Sequence, residues 1–461
     1  MGKKNIDILN GSLFKGIILY TMPIILTNIL QLLFNAVDMV VVGRFCGSIS
    51  LAAVGATGSL TALCLSVFSG LSMGVGVSVA HGIGMNDKKA THEAIHTAIP
   101  VALISSVLIS LITVVFAKDM LSLMGTPDEV IGLSTTYMRI CFGGIVFQLV
   151  LNFVAAILRA FGDTRSPLVA LTIGGVVNVV LNIIFVTLLH MNVAGVALAT
   201  VISQAVSMVI VLGVLINRND EFKLTLRSMR IYTVPLRKII QIGIPSGLQG
   251  CIFNMSNVII QSSVNSFGSA VMSGNAAAGG IENFVYMTMN SFSQTSMNFV
   301  GQNNAAHNDK RVRRTVLLCV VIEVLVAVAM STIIYAFRYF FIGMFIADSQ
   351  EAISWAIIRL QYICLPYFMC GIMEILTGAL RGMGVALVPM FISIIGVCGF
   401  RIGWIFSVFQ MPQYHTLQSL YFSYPFSWTF TILALLVAFI VMARRNRLSQ
   451  MIPVDKSLRS N

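Results

Sequence analysis

Residues 27–43 read TNILQLLFNAVDMVVVG, an apolar run in which polar residues recur at spacings of three, four and three. These residues are three carboxamides and one carboxylate: Asn28, Gln31, Asn35 and Asp38. Residues three or four apart are neighbours on a helix surface, so the four side chains share one face. The segment therefore predicts a mostly apolar helix whose single polar stripe faces something other than lipid.

The rest of the chain has the same apolar character. Of its 461 residues 57% are hydrophobic and 10% are charged, whereas a soluble protein carries about 25% charged residues. A helical span needs about 20 apolar residues, and twelve runs are long enough. They cover residues 15–42, 51–80, 93–117, 131–159, 165–189, 193–217, 238–266, 273–302, 315–337, 352–380, 385–410 and 417–443. The alternation typical of a β-barrel is absent, so we predict an all-α integral membrane protein with twelve transmembrane helices.

Lysine and arginine are distributed unevenly between the loops that join these runs. If the N-terminus is cytoplasmic, the outer loops hold only Arg44, Lys118 and Arg338, and nearly all the other basic residues lie inside. This bias predicts that both termini are cytoplasmic. It also accounts for the net charge of +12 through topology and contact with membrane lipids, so we expect no nucleic-acid partner.

The chain repeats itself at an offset of 222 residues. NDKK at residues 86–89 recurs as NDKR at 308–311, and ILRAFGDTRSP at 157–167 recurs as ALRGMGVALVP at 379–389. Each half holds six spans, so the two halves should be parallel repeats with a substrate site between them. We predict an N-terminal six-helix lobe (1–217), a cytoplasmic linker (218–237), a C-terminal six-helix lobe (238–443) and a cytoplasmic tail (444–461).

The second half carries polar stripes of its own. They comprise Asn254, Asn257 and Gln261 in its first span, and Glu282, Tyr286, Asn290 and Gln294 in the next. Together with Asn28, Gln31 and Asn35 they predict a water-filled substrate cavity between the halves, in which Glu282 would attract cations or take part in coupling. Hydrogen bonding between helices alone is the alternative reading.

Asp38 is an acid inside an apolar span. Such acids are costly and usually functional, although Asp38 is near enough to one end to reach the lipid headgroups or pair with Arg44. Asn178, Asn182 and Thr200 lie at a similar depth in the fifth and sixth spans. With Asp38 they could hold a proton or coordinate a small cation through oxygen atoms.

Four motifs carry a resemblance to a known family: FNAVDMVVVGRFCG, LAAVGATG, ILRAFGDTRSP and FVGQNNA. With the twelve-span duplication, they resemble the multidrug and toxic compound extrusion (MATE) transporters, in the bacterial branch nearer the DNA-damage-inducible type. The resemblance implies two V-shaped six-helix lobes in the bacterial inner membrane. It also implies secondary active efflux, by alternating access, of drug-like and often cationic compounds in exchange for H⁺ or Na⁺.

The resemblance also assigns residues. Asp38 matches the acid of the first span, Asn178 and Asn182 match the N-x-x-x-D motif of the fifth, and Thr200 matches the threonine of the sixth. Asn182 stands where that motif has its acid, which leaves the stoichiometry and identity of the coupling ion open. We expect a monomer that is not an enzyme and has no cofactor and no bound metal.

Two other functions remain as alternatives. A flippase for lipids or lipid-linked oligosaccharides should have a strongly cationic cavity. The predicted lining is instead amides, methionines, aromatic residues and a few acids, with Arg401 as the one deep arginine. An intramembrane zinc protease is suggested by His92-Glu93-x-x-His96, which matches H-E-x-x-H. Asp163 is the only nearby candidate for a third zinc ligand.

Overall fold

The computed structural model describes residues 5–218, 220–346 and 349–451, and over these residues the chain is helical, without a β-strand. Twelve membrane helices, α1–α12, correspond one to one with the predicted runs. They are Leu13–Cys46, Ser48–Gly84, Lys88–Leu123, Asp128–Gly143 with Ile145–Ala160, Arg165–Leu188, Asn192–Ile216, Thr233–Asn265, Ser269–Ala305, Asp309–Ala336, Gln350–Gly382, Leu387–Gln410 and Leu417–Met451. Residues 452–461 of the predicted tail lie outside the described residues.

Two of the twelve helices are much more polar than the others. Among the described residues, nine helices are individually long and apolar enough to span a bilayer, and the bent pair that forms α4 makes a tenth. The remaining two, α7 and α8, carry the polar stripes of the second half. The 222-residue repeat makes them the counterparts of α1 and α2. We therefore count them as membrane helices, although their polar faces are unfavourable in contact with lipid.

Several helices that the sequence predicts as continuous are interrupted. The two parts of α4 meet at 46° around Gly144, where an added Cβ would lie 2.3 Å from Val201 of α6. The helix α10 changes to a π-helical turn at Leu360–Cys364 and then to a 3₁₀ turn at Leu365–Tyr367, which contains Pro366. The helix α11 contains a π-helical turn at Ile394–Gly399. Such insertions often occur at functional sites because they redirect side chains.

The two lobes, α1–α6 and α7–α12, meet most closely between α2 and α7. We call the side of the membrane where α1 begins and α12 ends the termini side. Toward that side, an added Cβ on Gly70 would lie 2.3 Å from the carbonyl oxygen of Gly243, and one on Gly74 would lie 2.4 Å from that of Ile239. The backbones therefore touch, as small residues allow in membrane helices.

Hydrogen bonds between the lobes occupy the same half of the molecule. Thr21 bonds to Thr295 at 2.8 Å, and His81 Nε2 lies 2.7 Å from the carbonyl oxygen of Gly382. Near the middle of the bundle, Asn254 donates to Ser66 at 3.1 Å. Farther from the termini side, Asn35 of α1 and Ala62 of α2 line the space between the lobes and are exposed, so the cleft opens on the side opposite the termini.

Candidate functional site

The carboxylate of Asp38 is held by two neighbouring helices. Its Oδ1 accepts a hydrogen bond from Asn182 Nδ2 of α5 at 2.5 Å, and its Oδ2 lies 3.4 Å from the hydroxyl of Thr200 on α6. That hydroxyl also lies 2.9 Å from the carbonyl oxygen of Val196. A hydroxyl has one proton to donate, so Thr200 donates either to Asp38 or to the carbonyl oxygen of Val196. Asn182 donates to Asp38 in both cases.

The amides of α5 complete the cluster. Asn182 Nδ2 donates to Asn178 Oδ1 at 3.1 Å, and Asn178 Nδ2 lies 3.4 Å from Thr200 Oγ1. Asn182 is fully buried, and its own Oδ1 has no partner among the described residues. The structure thus brings together the four residues that the sequence places at one depth. No ion pair joins Asp38 to Arg44 in the described part of the chain.

A small cavity of about 110 Å³ lies inside the N-terminal lobe beside this cluster. Its lining includes Asp38, Asn178 and Thr200, whereas Asn182 lies behind them, and the stripe of α1 also contributes: Asn28, Gln31 and Asn35. Carboxylate, hydroxyl and amide oxygens are ligands that small hard cations accept, and the carboxylate is also a proton acceptor. The arrangement can therefore hold either a proton or a metal cation.

A second cavity, of about 540 Å³, lies between the lobes. Predicted residues from both halves line it: Asn28, Gln31, Asn35, Asn254, Tyr286 and Asn290. Gln294 lines an adjoining cavity of about 260 Å³. Some of these amides also bond between helices, as when Asn28 donates to Ser291 at 2.9 Å. Both readings of the stripes, cavity lining and helix pairing, thus apply to Asn28.

A larger cavity than these, about 760 Å³, lies mostly within the C-terminal lobe. It is lined by the predicted residues Asn254, Asn257, Gln261, Glu282 and Tyr286. Glu282 forms an ion pair with Arg359 of α10, with Arg359 Nη2 2.7 Å from Glu282 Oε2 and Nε 3.1 Å from Oε1. Because Arg359 balances its charge, Glu282 should attract a cation less than an unpaired carboxylate would, and its role in cation attraction or coupling stays a prediction.

The cavities contain more arginines than the sequence indicated. Arg401 was expected to be the one deep arginine, but Arg359, Arg381 and Arg159 also line the cavities. Arg159 and Arg381 lie in the last turns of α4 and α10 on the termini side, and the sequence analysis counted them among the basic residues on the inner side of the membrane. Their side chains instead point into the molecule, where Arg159 donates to Gln294 and Arg381 to Gln249. Arg159 and Arg381 occupy equivalent positions of the two repeats, 222 residues apart. This equivalence was the sequence signal that could have indicated their inward orientation.

The histidines of the H-E-x-x-H motif have structural contacts. The rings of His92 and His96 stack with centroids 3.9 Å apart, and His96 Nε2 lies 3.1 Å from both the hydroxyl and the backbone nitrogen of Thr225 in the linker. Asp163 instead caps the start of α5 by accepting from the backbone nitrogens of Arg165 and Ser166. Among the described residues no cluster of three metal-ligating side chains occurs, so the geometry does not support the zinc-protease alternative.

The linker between the lobes is attached to the N-terminal lobe by polar contacts. Lys88 lies 2.6 Å from Glu221, and Tyr232 N donates to Thr97 at 3.1 Å. The guanidinium of Arg218, 2.5 Å from Asp220, lowers the pKa of that carboxyl, so Asp220 stays ionised at a lower pH than an ordinary aspartate does. The contacts of Glu221 and Tyr232 thus hold the linker against the N-terminal lobe.

Comparison with known proteins extends these findings. The MatE family model matches the chain twice, at residues 23–184 and 245–406, which is the 222-residue repeat predicted from the sequence. The probable multidrug resistance proteins YpnP and YoeA of Bacillus subtilis are 28% and 24% identical, over 85% and 92% of this chain and 87% and 92% of their own lengths. A solved structure described as the outward-facing conformation of a multidrug resistance MATE family transporter of the MOP superfamily has a TM-score of 0.88 at 21% identity, covering 98% of this chain and 100% of that one.

Proposed function

Because this chain belongs to the MatE family of membrane transporters, and is therefore a transporter and not an enzyme, we propose that it exports drug-like organic compounds in exchange for H⁺ or Na⁺. The names of YpnP and YoeA support multidrug export and do not favour a flippase. The observation that carries ion coupling is the cluster around Asp38: one carboxylate, held by Asn182 and Thr200, beside a cavity within a lobe.

The proposed orientation follows from the basic loops. With both termini cytoplasmic in the bacterial inner membrane, the termini side is the inner side and the cleft described above opens outward. The lobes 1–217 and 238–443, joined by the cytoplasmic linker 218–237, would rock against each other in a monomer, and the close contact of α2 with α7 would break in the inward-open state.

Coupling would act through the hydrogen bonds of Asp38. With the carboxylate ionised, the amide group of Asn182 donates to both Asp38 and Asn178. Protonation of Asp38 converts one of its carboxylate oxygens from a hydrogen-bond acceptor into a donor. The Oδ1 of Asn182, which has no partner among the described residues, could accept this hydrogen bond if the amide group rotated by half a turn. A bound Na⁺ would instead take the oxygens of Asp38 and Thr200. Either event changes how α1 is held against α5 and α6.

The test uses purified protein in proteoliposomes with a Na⁺ gradient and an H⁺ gradient imposed separately, and rhodamine 123 as the transported cation. Wild type should concentrate the dye against its gradient with at least one of the ions. Asp38→Asn should fold and exchange dye at equilibrium but fail to concentrate it. Asp119→Asn, the same change at an exposed site at the end of α3, is the control. Concentration at the wild-type rate by Asp38→Asn would place coupling elsewhere.

A further inference from the structure

Three arginines that line the cavities have no carboxylate partner. Among the described residues, the ion pairs within 4.0 Å involve Arg218 and Arg359, but not Arg159, Arg381 or Arg401. An arginine side chain stays protonated in proteins, and a buried charge without a counter-charge is costly. Each of these guanidinium groups therefore lacks a direct ion-pair partner, which an acidic substrate group could supply.

Arg401 is the best formed of these three sites. Only 6% of the residue is exposed, and it lines the cavity of about 760 Å³. Its Nε donates to Ser427 at 2.9 Å, and its guanidinium carbon lies 3.8 Å from the ring centre of Tyr424 and 5.6 Å from that of Trp428. Nη1 and Nη2 form no hydrogen bond to any described residue, so the fork that binds carboxylates and sulfonates has no acceptor from the described part of the protein.

The acids of the same cavity do not neutralise Arg401. Glu282 is committed to Arg359, and Glu374, although it lines the cavity, lies more than 4.0 Å from any described cationic group. Arg381, seven residues after Glu374 on α10, lines the cavity between the lobes, and its Nε has no partner. Glu374 lines that cavity too and interacts electrostatically with Arg381 at longer range, so the inference below rests on Arg401.

We propose that the C-terminal cavity binds the acidic group of an aromatic organic anion, with Arg401 as its partner and Tyr424 and Trp428 against its rings. A cavity of this size accommodates a drug-sized molecule, and a guanidinium stacked on aromatic rings presents its edge to the ligand. The proposal rests on the proposed export function, since it names a class of substrate. It differs from the expectation of cationic substrates, which suits the N-terminal cavity with Asp38.

Three dyes with one xanthene body test the preference for charge. Rhodamine 123 is a cation with an esterified carboxyl group, rhodamine 110 has the same rings with a free carboxylate, and fluorescein is an anion. Binding to the purified protein in neutral detergent, followed by fluorescence anisotropy, should be tighter for rhodamine 110 and fluorescein than for rhodamine 123. Equal or weaker binding of the two carboxylates would overturn the proposal.

Variants then locate the acidic group. Arg401→Gln should weaken the binding of rhodamine 110 and fluorescein about 10-fold or more, since hydrogen bonds to charged groups are strong, and should leave rhodamine 123 unchanged. Arg401→Lys keeps the charge but not the fork, and should give an intermediate loss. If Arg401→Gln does not fold, the loss of dye binding in Arg401→Lys tests the proposal instead. Arg139→Gln, at an exposed arginine of α4, is the matched control, and equal loss in Arg139→Gln and Arg401→Gln would refute the assignment.

The outcomes separate this proposal from the proposed function. If rhodamine 123 is exported but the carboxylate dyes do not bind through Arg401, the anion site fails and the export function stands. If the carboxylate dyes bind through Arg401 but no gradient drives export, the site stands and the export function fails. Phosphatidylglycerol added to the binding assay with the wild-type protein tests the source of the anion: displacement of rhodamine 110 by the lipid indicates a headgroup site and overturns the proposal, whereas binding that the lipid does not affect supports a free organic acid.

Discussion

The contact of Gly70 with α7 predicts that a single methyl group will change which side of the transporter is open. In Gly70→Ala the new Cβ would lie 2.3 Å from both the carbonyl oxygen of Gly243 and the backbone nitrogen of Gly247. These are backbone atoms, which cannot rotate away as a side chain can. Since ordinary contact begins near 3.4 Å, the two helices have to separate by about 1 Å.

The cost falls on one conformation only. Overpacking of this kind costs about 1–3 kcal/mol, and it applies where α2 and α7 touch but not where the lobes have separated on the termini side. A difference of this size changes an equilibrium about 5- to 150-fold. Gly70→Ala should therefore shift the population toward the state that is open on the termini side.

Spin labels can measure this shift by double electron–electron resonance. In a background without the eight native cysteines, labels at Lys89 and Lys310 report the separation of the lobes, since both residues are exposed in the first turns of α3 and α9. Gly70→Ala should increase the fraction at long distance. Gly55→Ala is the matched control on the same helix, because nothing lies within 4 Å of its added Cβ. Identical distance distributions for both variants and wild type would refute the reasoning.

Two further predictions concern charge. Glu282→Gln leaves Arg359 buried without a counter-charge, which should destabilise the protein by about 3–5 kcal/mol and lower its melting temperature in detergent. The double variant Glu282→Gln with Arg359→Met should recover most of this loss. An equal loss of stability in the single and the double variant would contradict the role of the ion pair. Asn182→Asp places a second carboxylate 2.5 Å from Asp38, where two negative charges repel strongly. The rate of gradient-driven efflux should then change its dependence on pH or Na⁺, and an unchanged dependence would remove Asn182 from the coupling site.

The sequence predicted the fold well because the relevant signals are local. Lipid requires each span to satisfy its own backbone hydrogen bonds, so a long apolar run is sufficient to identify a helix. The repeat at 222 residues then groups the helices into two lobes, and the family model matches both copies. The association of Asp38 with Asn178, Asn182 and Thr200 followed from their similar depth and from the family resemblance.

The sequence determined which segments cross the membrane and which faces are polar; tertiary structure decided what those faces meet. Arg359 and Glu282 are 77 residues apart, and nothing local to either predicts their pairing. Arg159 and Arg381 lie at the ends of predicted spans, where basic residues usually face the membrane surface, yet they line cavities because the neighbouring helices leave space there. Hydropathy is a property of one segment, whereas the neutralisation of a buried charge depends on how helices rotate and pack against one another. That is why the spans were predictable and the charge of the cavities was not.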